Sequence, residues 1–340
     1  MAKDRSSDLR VLVTRRFLGP IEQKLGQFDL TYIDKDDNLP REKLKSLIKD
    51  KHGILCSIPD RIDREVLAIA KDLRVISTYS VGYDHIDVEE ATKRGIAVAN
   101  TPDVLTDATA DLTLALLLGI ARRIVEGHNL VMQRKWDDAW SPYFMVGSDL
   151  AVKTLGILGM GRIGKAVAAR TKGFGLKVVY HSRHRLSREE EHGLDVNYLP
   201  LDKLLEQSDF VSVHVPLIED THHLIDGKKL AMMKKTAFLI NTARGPVVDE
   251  NALFEALRKK QIAGAALDVY EKEPLPADSP LLSLNNVLLT PHIGSAAEET
   301  RYKMGEVAAE NLANFLIGKK PQYLVNPIYP IYVKRLGCFC

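Results

Sequence analysis

Arg244, Glu273 and His292 are the residues of this chain whose types and settings suit acid-base work on a small anion. Each stands just beyond a short apolar run of strand character. Asn241-Thr242-Ala243-Arg244-Gly245 follows Ala237 to Ile240; Leu267-Asp268-Val269-Tyr270-Glu271-Lys272-Glu273-Pro274 closes the run begun at Ala263; Thr290-Pro291-His292-Ile293-Gly294-Ser295 follows Val287 to Leu289. Open parallel sheets bind ligands at the carboxyl ends of their strands. There a guanidinium fork suits a carboxylate, an imidazole suits proton donation to a carbonyl oxygen, and a carboxylate can tune that imidazole. Together the three describe a site for a 2-oxo acid. Singly, each also has an ordinary structural role: Arg244 as a helix cap or surface ion pair, Glu273 as a solvated loop acid, His292 as a satisfied core histidine.

A second pattern lies upstream. Gly159-Met160-Gly161-Arg162-Ile163-Gly164 follows the strand-like Thr154 to Leu158 and opens a helix-like run from Lys165 to Thr171. In that setting the glycines serve a tight turn, close approach of backbone to a pyrophosphate, and helix-to-strand packing, while the helix start offers unpaired N–H groups. A dinucleotide site is expected, with Gly159, Gly161, Arg162, Ile163 and Gly164 as contacts. The next strand, Lys177 to His181, ends without the acid that NAD-type sites place about 20 residues beyond the first glycine. It runs instead into Ser182-Arg183-His184-Arg185. A hydroxyl and the guanidinium groups of Arg183 and Arg185 suit a 2′-phosphate, each charge-assisted bond being worth about 1.5–3 kcal/mol. NADP(H) is therefore preferred, with NAD(H) as the alternative. A solvated basic loop is the plainer reading, since Arg188 and the acids Glu189, Glu190 and Glu191 follow at once.

The elements that must position these residues alternate from the start. Leu9 to Thr14, Phe28 to Ile33, Gly53 to Cys56 and Val75 to Thr78 read as strands; Pro20 to Leu25, Arg41 to Lys49 and Arg64 to Ala70 read as helices. Such alternation predicts a parallel sheet covered on both faces. The glycine motif therefore opens a second α/β unit, reached through a helical connection from Thr106 to Gln133, interrupted only by Gly119 and Gly127, and an aromatic, turn-rich segment from Trp136 to Gly147. Beyond it come a strand at Phe210 to Val213 and a last helix from Ala296 to Ile317.

At 340 residues, with 45% hydrophobic and 27% charged residues, the chain has room for two cores of ordinary composition. Its 47 basic and 45 acidic residues give a formal charge of +2, which argues against a nucleic-acid partner. The longest strongly apolar stretch, Leu112 to Ala121, is far short of the roughly 20 residues a bilayer needs, and Met1 to Arg5 leads into no signal core, so a cytoplasmic protein is expected. Cys56, Cys338 and Cys340 supply neither a disulfide framework nor metal-ligand spacing, and no metal is expected.

With these residues in place the chain resembles the D-isomer-specific 2-hydroxyacid dehydrogenases from about Leu9 to Pro327. The resemblance is carried by Ser80-Val81-Gly82-Tyr83-Asp84-His85-Ile86-Asp87, Asn100-Thr101-Pro102-Asp103-Val104-Leu105, the glycine motif and the three strand-end segments. It implies reduction of a small 2-oxo acid, glyoxylate or hydroxypyruvate, by NADPH. Arg244 would orient the substrate, His292 act as general acid and Glu273 as the partner of that histidine, favouring its imidazolium; Glu271 is left out. The amides of Val81 and Gly82 would bind the substrate carboxylate. Asp268 would hold the nicotinamide carboxamide, with Thr242, Ala243 and Gly294 as further cofactor contacts. A homodimer is implied through the region from Thr106 to Gly147, with Trp140 reaching the neighbouring subunit's substrate site. The implied fold is a Rossmann coenzyme domain at 104–293, inserted into a discontinuous flavodoxin-like substrate domain at 1–103 and 294–330, with a tail at 331–340; both sheets are parallel and doubly wound. A phosphoglycerate, D-lactate or phosphite dehydrogenase of the same family is the rival reading, and a dinucleotide-sensing corepressor is a more distant one.

Overall fold

The computed structural model describes residues 5–137 and 140–328; residues 331–340, with Cys338 and Cys340, lie outside them. It divides into two compact units, one running up to Leu105 and resuming at Ser295, the other Thr106–Gly294. Val104 and Leu105 therefore go with the first unit and Gly294 with the second. Gly294 is held there by its own bonds, its N–H donating to Asp268 Oδ2 at 2.8 Å and its carbonyl accepting from Thr109 Oγ1 at 3.1 Å.

In the first unit β1 (Arg10–Val13), β2 (Asp29–Tyr32), β3 (Gly53–Cys56), β4 (Val75–Thr78) and β5 (Ala97–Ala99) form a parallel sheet in the order β2-β1-β3-β4-β5. This is the flavodoxin-like order. Alternate residues feed two separate cores: Val11, Val13, Leu55, Val75 and Ala97 face one, Leu12, Ile54, Cys56, Ile76 and Val98 the other. A sheet covered on both faces needs such continuous apolar strands. The helix Glu298–Leu316 belongs to this unit, packing Ala308, Leu312 and Phe315 into the first of these cores and accepting a bond from Ser77 Oγ at the Ala308 carbonyl, 2.8 Å. Cys56 is buried in β3, which pushes its thiol well above its ordinary value.

The second unit holds β6 (Thr154–Leu158), β7 (Lys177–His181), β8 (Val196–Tyr198), β9 (Phe210–Val213), β10 (Phe238–Asn241), β11 (Gly264–Leu267) and β12 (Val287–Leu289). All pair in parallel, in the order β12-β11-β10-β9-β6-β7-β8. Numbered within the unit this is 3-2-1-4-5-6 with one strand added, the Rossmann arrangement, and its order reverses at β6. The same alternation gives two cores, Val211, Val213, Leu239 and Ala265 on one face and Leu155, Ile157, Phe210 and Ile240 on the other.

The connection expected as one helical stretch is two helices, Thr106–Ala121 and Ile124–Met132. The break falls at neither glycine. Ser148 N–H donates to the Ala121 carbonyl at 2.8 Å, and a side chain at Gly147 would come within 2.4 Å of that oxygen, so the returning chain caps the first helix while Arg123 takes the left-handed φ of 55°. A left-handed residue just past a helix end is a common stop. Gly119 has a packing role instead, since a Cβ there would meet Leu288 Cδ1 at 2.7 Å. No helix among the described residues is long and apolar enough to cross a membrane.

Candidate active site

The glycine turn sits at the carboxyl end of β6. Gly159 has φ +99°, and a side chain there would lie 2.7 Å from the His214 backbone. At Gly164 a Cβ would come within 2.2 Å of the Gly159 carbonyl oxygen, whereas at Gly161 it would meet nothing within 4 Å. Two glycines thus close the turn against strand and helix, and the third leaves bare backbone at the start of the helix Arg162–Thr171. That is the cradle a pyrophosphate needs, so these residues fit a bound dinucleotide. Arg162 is exposed on the first turn, and Ile163 packs against the core beneath it.

The turn is tied to the tip of β7 by Gly159 N–H, which donates to the His181 carbonyl at 2.8 Å. Ser182 and Arg183 follow at once, and Arg183 is exposed, with no ion pair among the described residues. Arg185 differs. Its Nε and Nη2 donate to the two oxygens of Glu191 at 2.8 and 2.9 Å, and its guanidinium carbon lies 5.3 Å from the centre of the Tyr198 ring.

Three loops beyond β10, β11 and β12 carry the proposed chemistry. Arg244 is positioned by its own backbone: Asn241 Nδ2 donates to its carbonyl at 2.9 Å, Asn241 Oδ1 accepts from Ala243 N–H at 3.0 Å, and Arg244 Nη1 donates to the Ala243 carbonyl at 2.8 Å. Thr242 is buried, its hydroxyl 2.9 Å from that of Thr113. Gly245 lets this loop abut the next, for a Cβ there would stand 1.9 Å from the Tyr270 carbonyl carbon.

His292 and Glu273 meet, Nδ1 to Oε2, at 2.6 Å. An ionised carboxylate only accepts, so the hydrogen of this contact is on Nδ1 and Nε2 takes no part in it. Burial works against charge on Glu273, but the bond from His292, that residue's charge, the Tyr270 N–H and the Arg244 guanidinium outweigh it and hold the carboxyl below its ordinary 4.5. Arg244 is thus within electrostatic reach of the pair. Glu271 is engaged elsewhere, accepting from Glu250 N–H at 3.1 Å and lying 2.8 Å from His223 Nε2.

His292 has φ +54°, a conformation uncommon outside glycine. Asp268, only 1% exposed, holds it there. Its Oδ1 accepts from the Thr290 hydroxyl at 2.6 Å and Ile293 N–H at 2.8 Å, and its Oδ2 from Gly294 N–H at 2.8 Å. Burial raises the Asp268 carboxyl above its ordinary value despite these donors. Neither this clamp nor the asparagine bracket of Arg244 was legible from residue order, because both depend on which carbonyls and amides the folded loops leave open.

In the other unit, the loop after β4 presents Val81 and Gly82. Asn100 Nδ2 donates to the Val81 carbonyl at 2.8 Å and Ser80 Oγ to the Gly82 carbonyl at 2.6 Å. Among the described residues neither amide donates a hydrogen bond. The two carbonyls are pinned and the two N–H groups are left open.

Residues 114–294 match the family model described as D-isomer specific 2-hydroxyacid dehydrogenase, NAD binding domain. The chain belongs to the D-isomer-specific 2-hydroxyacid dehydrogenases. The dehydrogenase is 52% identical over 323 residues to a glyoxylate reductase of Korarchaeum cryptofilum, covering 93% of this chain and 96% of that one. Its fold matches a crystal structure of a Thermus thermophilus protein with a TM-score of 0.87 at 47% identity, covering 94% and 100% of the two chains. It also matches the NADPH-dependent glyoxylate/hydroxypyruvate reductase of Sinorhizobium meliloti, solved with NADP and malonate, with a TM-score of 0.81 at 33% identity and coverage of 95% and 98%. The dehydrogenase is an oxidoreductase that uses a nicotinamide dinucleotide and acts on a small acid.

Glu273 gives the pair a pH signature. An acid whose folded pKa is depressed lends stability that is fully present above its unfolded value and is lost as pH falls through the folded one. Glu273→Gln is expected to lower the urea midpoint at neutral pH, and the gap to the parent protein should close as pH drops below 4.5. A gap that ignores pH would show that the charge is not what matters.

Proposed function

We propose that this dehydrogenase reduces glyoxylate, and hydroxypyruvate beside it, to glycolate and D-glycerate, with NADPH preferred over NADH. The observation that carries the reading is the His292–Glu273 contact of 2.6 Å within electrostatic reach of Arg244, on loops at the carboxyl ends of the sheet that also bears the glycine cradle. Glyoxylate reductases at about half identity support the substrate.

A nicotinamide dinucleotide held at the glycine turn Gly159 to Gly164 would supply the hydride that reduces the carbonyl carbon. Arg244 takes the substrate carboxylate and carbonyl oxygen on its planar fork, polarising the bond. His292 Nε2 gives a proton to that oxygen as charge builds on it, while Glu273 keeps Nδ1–H and the ring in place. The amides of Val81 and Gly82 bind carboxylate oxygen. Asp268 accepts three bonds from the loop after β12 and has one lone-pair site left for the nicotinamide carboxamide. Thr242, Ala243 and Gly294 line the same cofactor position. Ser182 and Arg183, with no acid at the tip of β7, favour a 2′-phosphate over a 2′-hydroxyl.

Initial rates with glyoxylate, hydroxypyruvate, pyruvate and phosphite, each with NADPH and NADH, test this directly. Glyoxylate with NADPH should be the fastest pair. A preference for pyruvate or phosphite would make it another dehydrogenase of the family, and a preference for NADH would overturn the cofactor assignment.

The functional unit is a homodimer in this reading. Ile124, Val131, Met132, Trp136, Tyr143 and Val146 are exposed on the helix Ile124–Met132 and the segment after it, an apolar surface suited to a second copy. Trp140 is 82% exposed and so is not packed in its own chain. Placed at the partner copy's substrate site it would narrow that site toward small acids. Trp140→Ala should then shift relative efficiency toward bulkier 2-oxo acids by about tenfold to a hundredfold, with NADPH binding intact. Unchanged substrate ratios, or a fully active monomer in sedimentation, would dispose of this role.

A further inference from the structure

Arg185 stands two residues beyond Arg183 in the loop between β7 and the helix Arg188–Leu194, yet the two guanidinium groups are in different states. Arg183 is exposed and without an ion pair among the described residues. Arg185 is built into a small network. Both oxygens of Glu191 receive it, at 2.8 and 2.9 Å; Glu191 Oε1 also accepts the Tyr180 hydroxyl at 2.7 Å; that hydroxyl accepts Leu186 N–H at 2.9 Å; and the guanidinium lies over Tyr198. Paired N–H bonds of an arginine to one carboxylate are the geometry a phosphate would otherwise receive.

Glu191 is the acid selected for this task. Of its neighbours, Glu190 is used in capping Ser187 and in a 2.7 Å pair with Lys165, while Glu191 is anchored from below by a tyrosine whose ring is fully buried. Its side chain is 12% exposed against 59% for Arg185, so the acid is the fixed member and the arginine the one that could leave. The Arg185 guanidinium and the Tyr180 hydroxyl hold the Glu191 carboxyl at about 2, so it stays ionised across the working pH range.

We propose that Glu191 is a specificity-determining residue that withholds Arg185 from the cofactor, leaving the 2′-phosphate to Ser182 and Arg183 and limiting the preference for NADPH over NADH. This rests on the reading that the tip of β7 receives the cofactor's 2′ position. It assigns Arg185 a different role from the one its spacing in the sequence suggests.

Equilibrium dissociation constants of NADPH and NADH, read by nicotinamide fluorescence on the full-length protein, test it through a double-variant cycle. Glu191→Gln keeps the size and the acceptor for Tyr180 but loses the charge. It should tighten NADPH by about tenfold, the worth of one charge-assisted bond gained, while moving NADH less than about twofold. Arg185→Ala in the parent should weaken NADPH by less than about twofold, and in the Glu191→Gln background it should abolish the gain. A gain that survives removal of Arg185 would reflect only the loss of a negative charge, and a tenfold loss on Arg185→Ala alone would mean that Arg185 already reads the phosphate; either overturns the proposal. Arg183→Ala separates the underlying reading, because NADPH affinity untouched by that change would show that the 2′-phosphate is not held at this tip at all.

Discussion

His292→Asn is expected to lower kcat/KM for glyoxylate by about 10²- to 10⁴-fold, the span of general acid-base catalysis, while the dissociation constant of NADPH stays where it was. Asparagine is the informative replacement because it tolerates left-handed backbone, and His292 has φ +54°. Asp268 can then go on holding Thr290, Ile293 and Gly294, so the loop keeps its shape and only the proton donor is lost. The change should fall on kcat. A rise in KM with kcat unaltered would mean that His292 binds substrate without protonating it.

Arg244→Lys is expected to cost about 10- to 150-fold in kcat/KM, the equivalent of one charge-assisted bond of about 1.5–3 kcal/mol. Lysine keeps the charge and loses the planar fork. The backbone at this position is fixed by Asn241, which grips both the Arg244 carbonyl and Ala243 N–H, and by the glycine next to it, so the variant should fold as the parent does. Its loss therefore measures side-chain geometry. Near-parental efficiency would make Arg244 a structural residue that pins Glu273 electrostatically and nothing more.

Strands with both faces buried were legible because parallel sheets require continuous apolar runs: Gly53–Cys56, Val75–Thr78 and Phe210–Val213 fall where the residue pattern puts them. The short strands Ala97–Ala99 and Val196–Tyr198 were not, one being built from alanines of weak strand preference and the other interrupted by Asn197 at the sheet edge. The glycine motif could be read because Gly159 and Gly164 answer steric demands that any sequence must meet in this turn, while Gly161 leaves bare backbone at the helix start. The break at Arg123 could not, since it is imposed by a chain segment returning from Gly147 and Ser148. At the site, the preference for Glu273 over Glu271 came from family resemblance. Its physical basis is tertiary: Glu271 turns to His223 and Glu250, and Glu273 turns to His292. Arg185 shows the converse, where two arginines that look equivalent in sequence are separated by one buried-side carboxylate.

Reduction of glyoxylate with NADPH carrying deuterium at both C4 positions tests the proposed chemistry most directly. Mass spectrometry of the product should find glycolate with one deuterium on C2, formed faster than with NADH labelled in the same way. Glycolate free of label, or no turnover of glyoxylate by either cofactor, would contradict it.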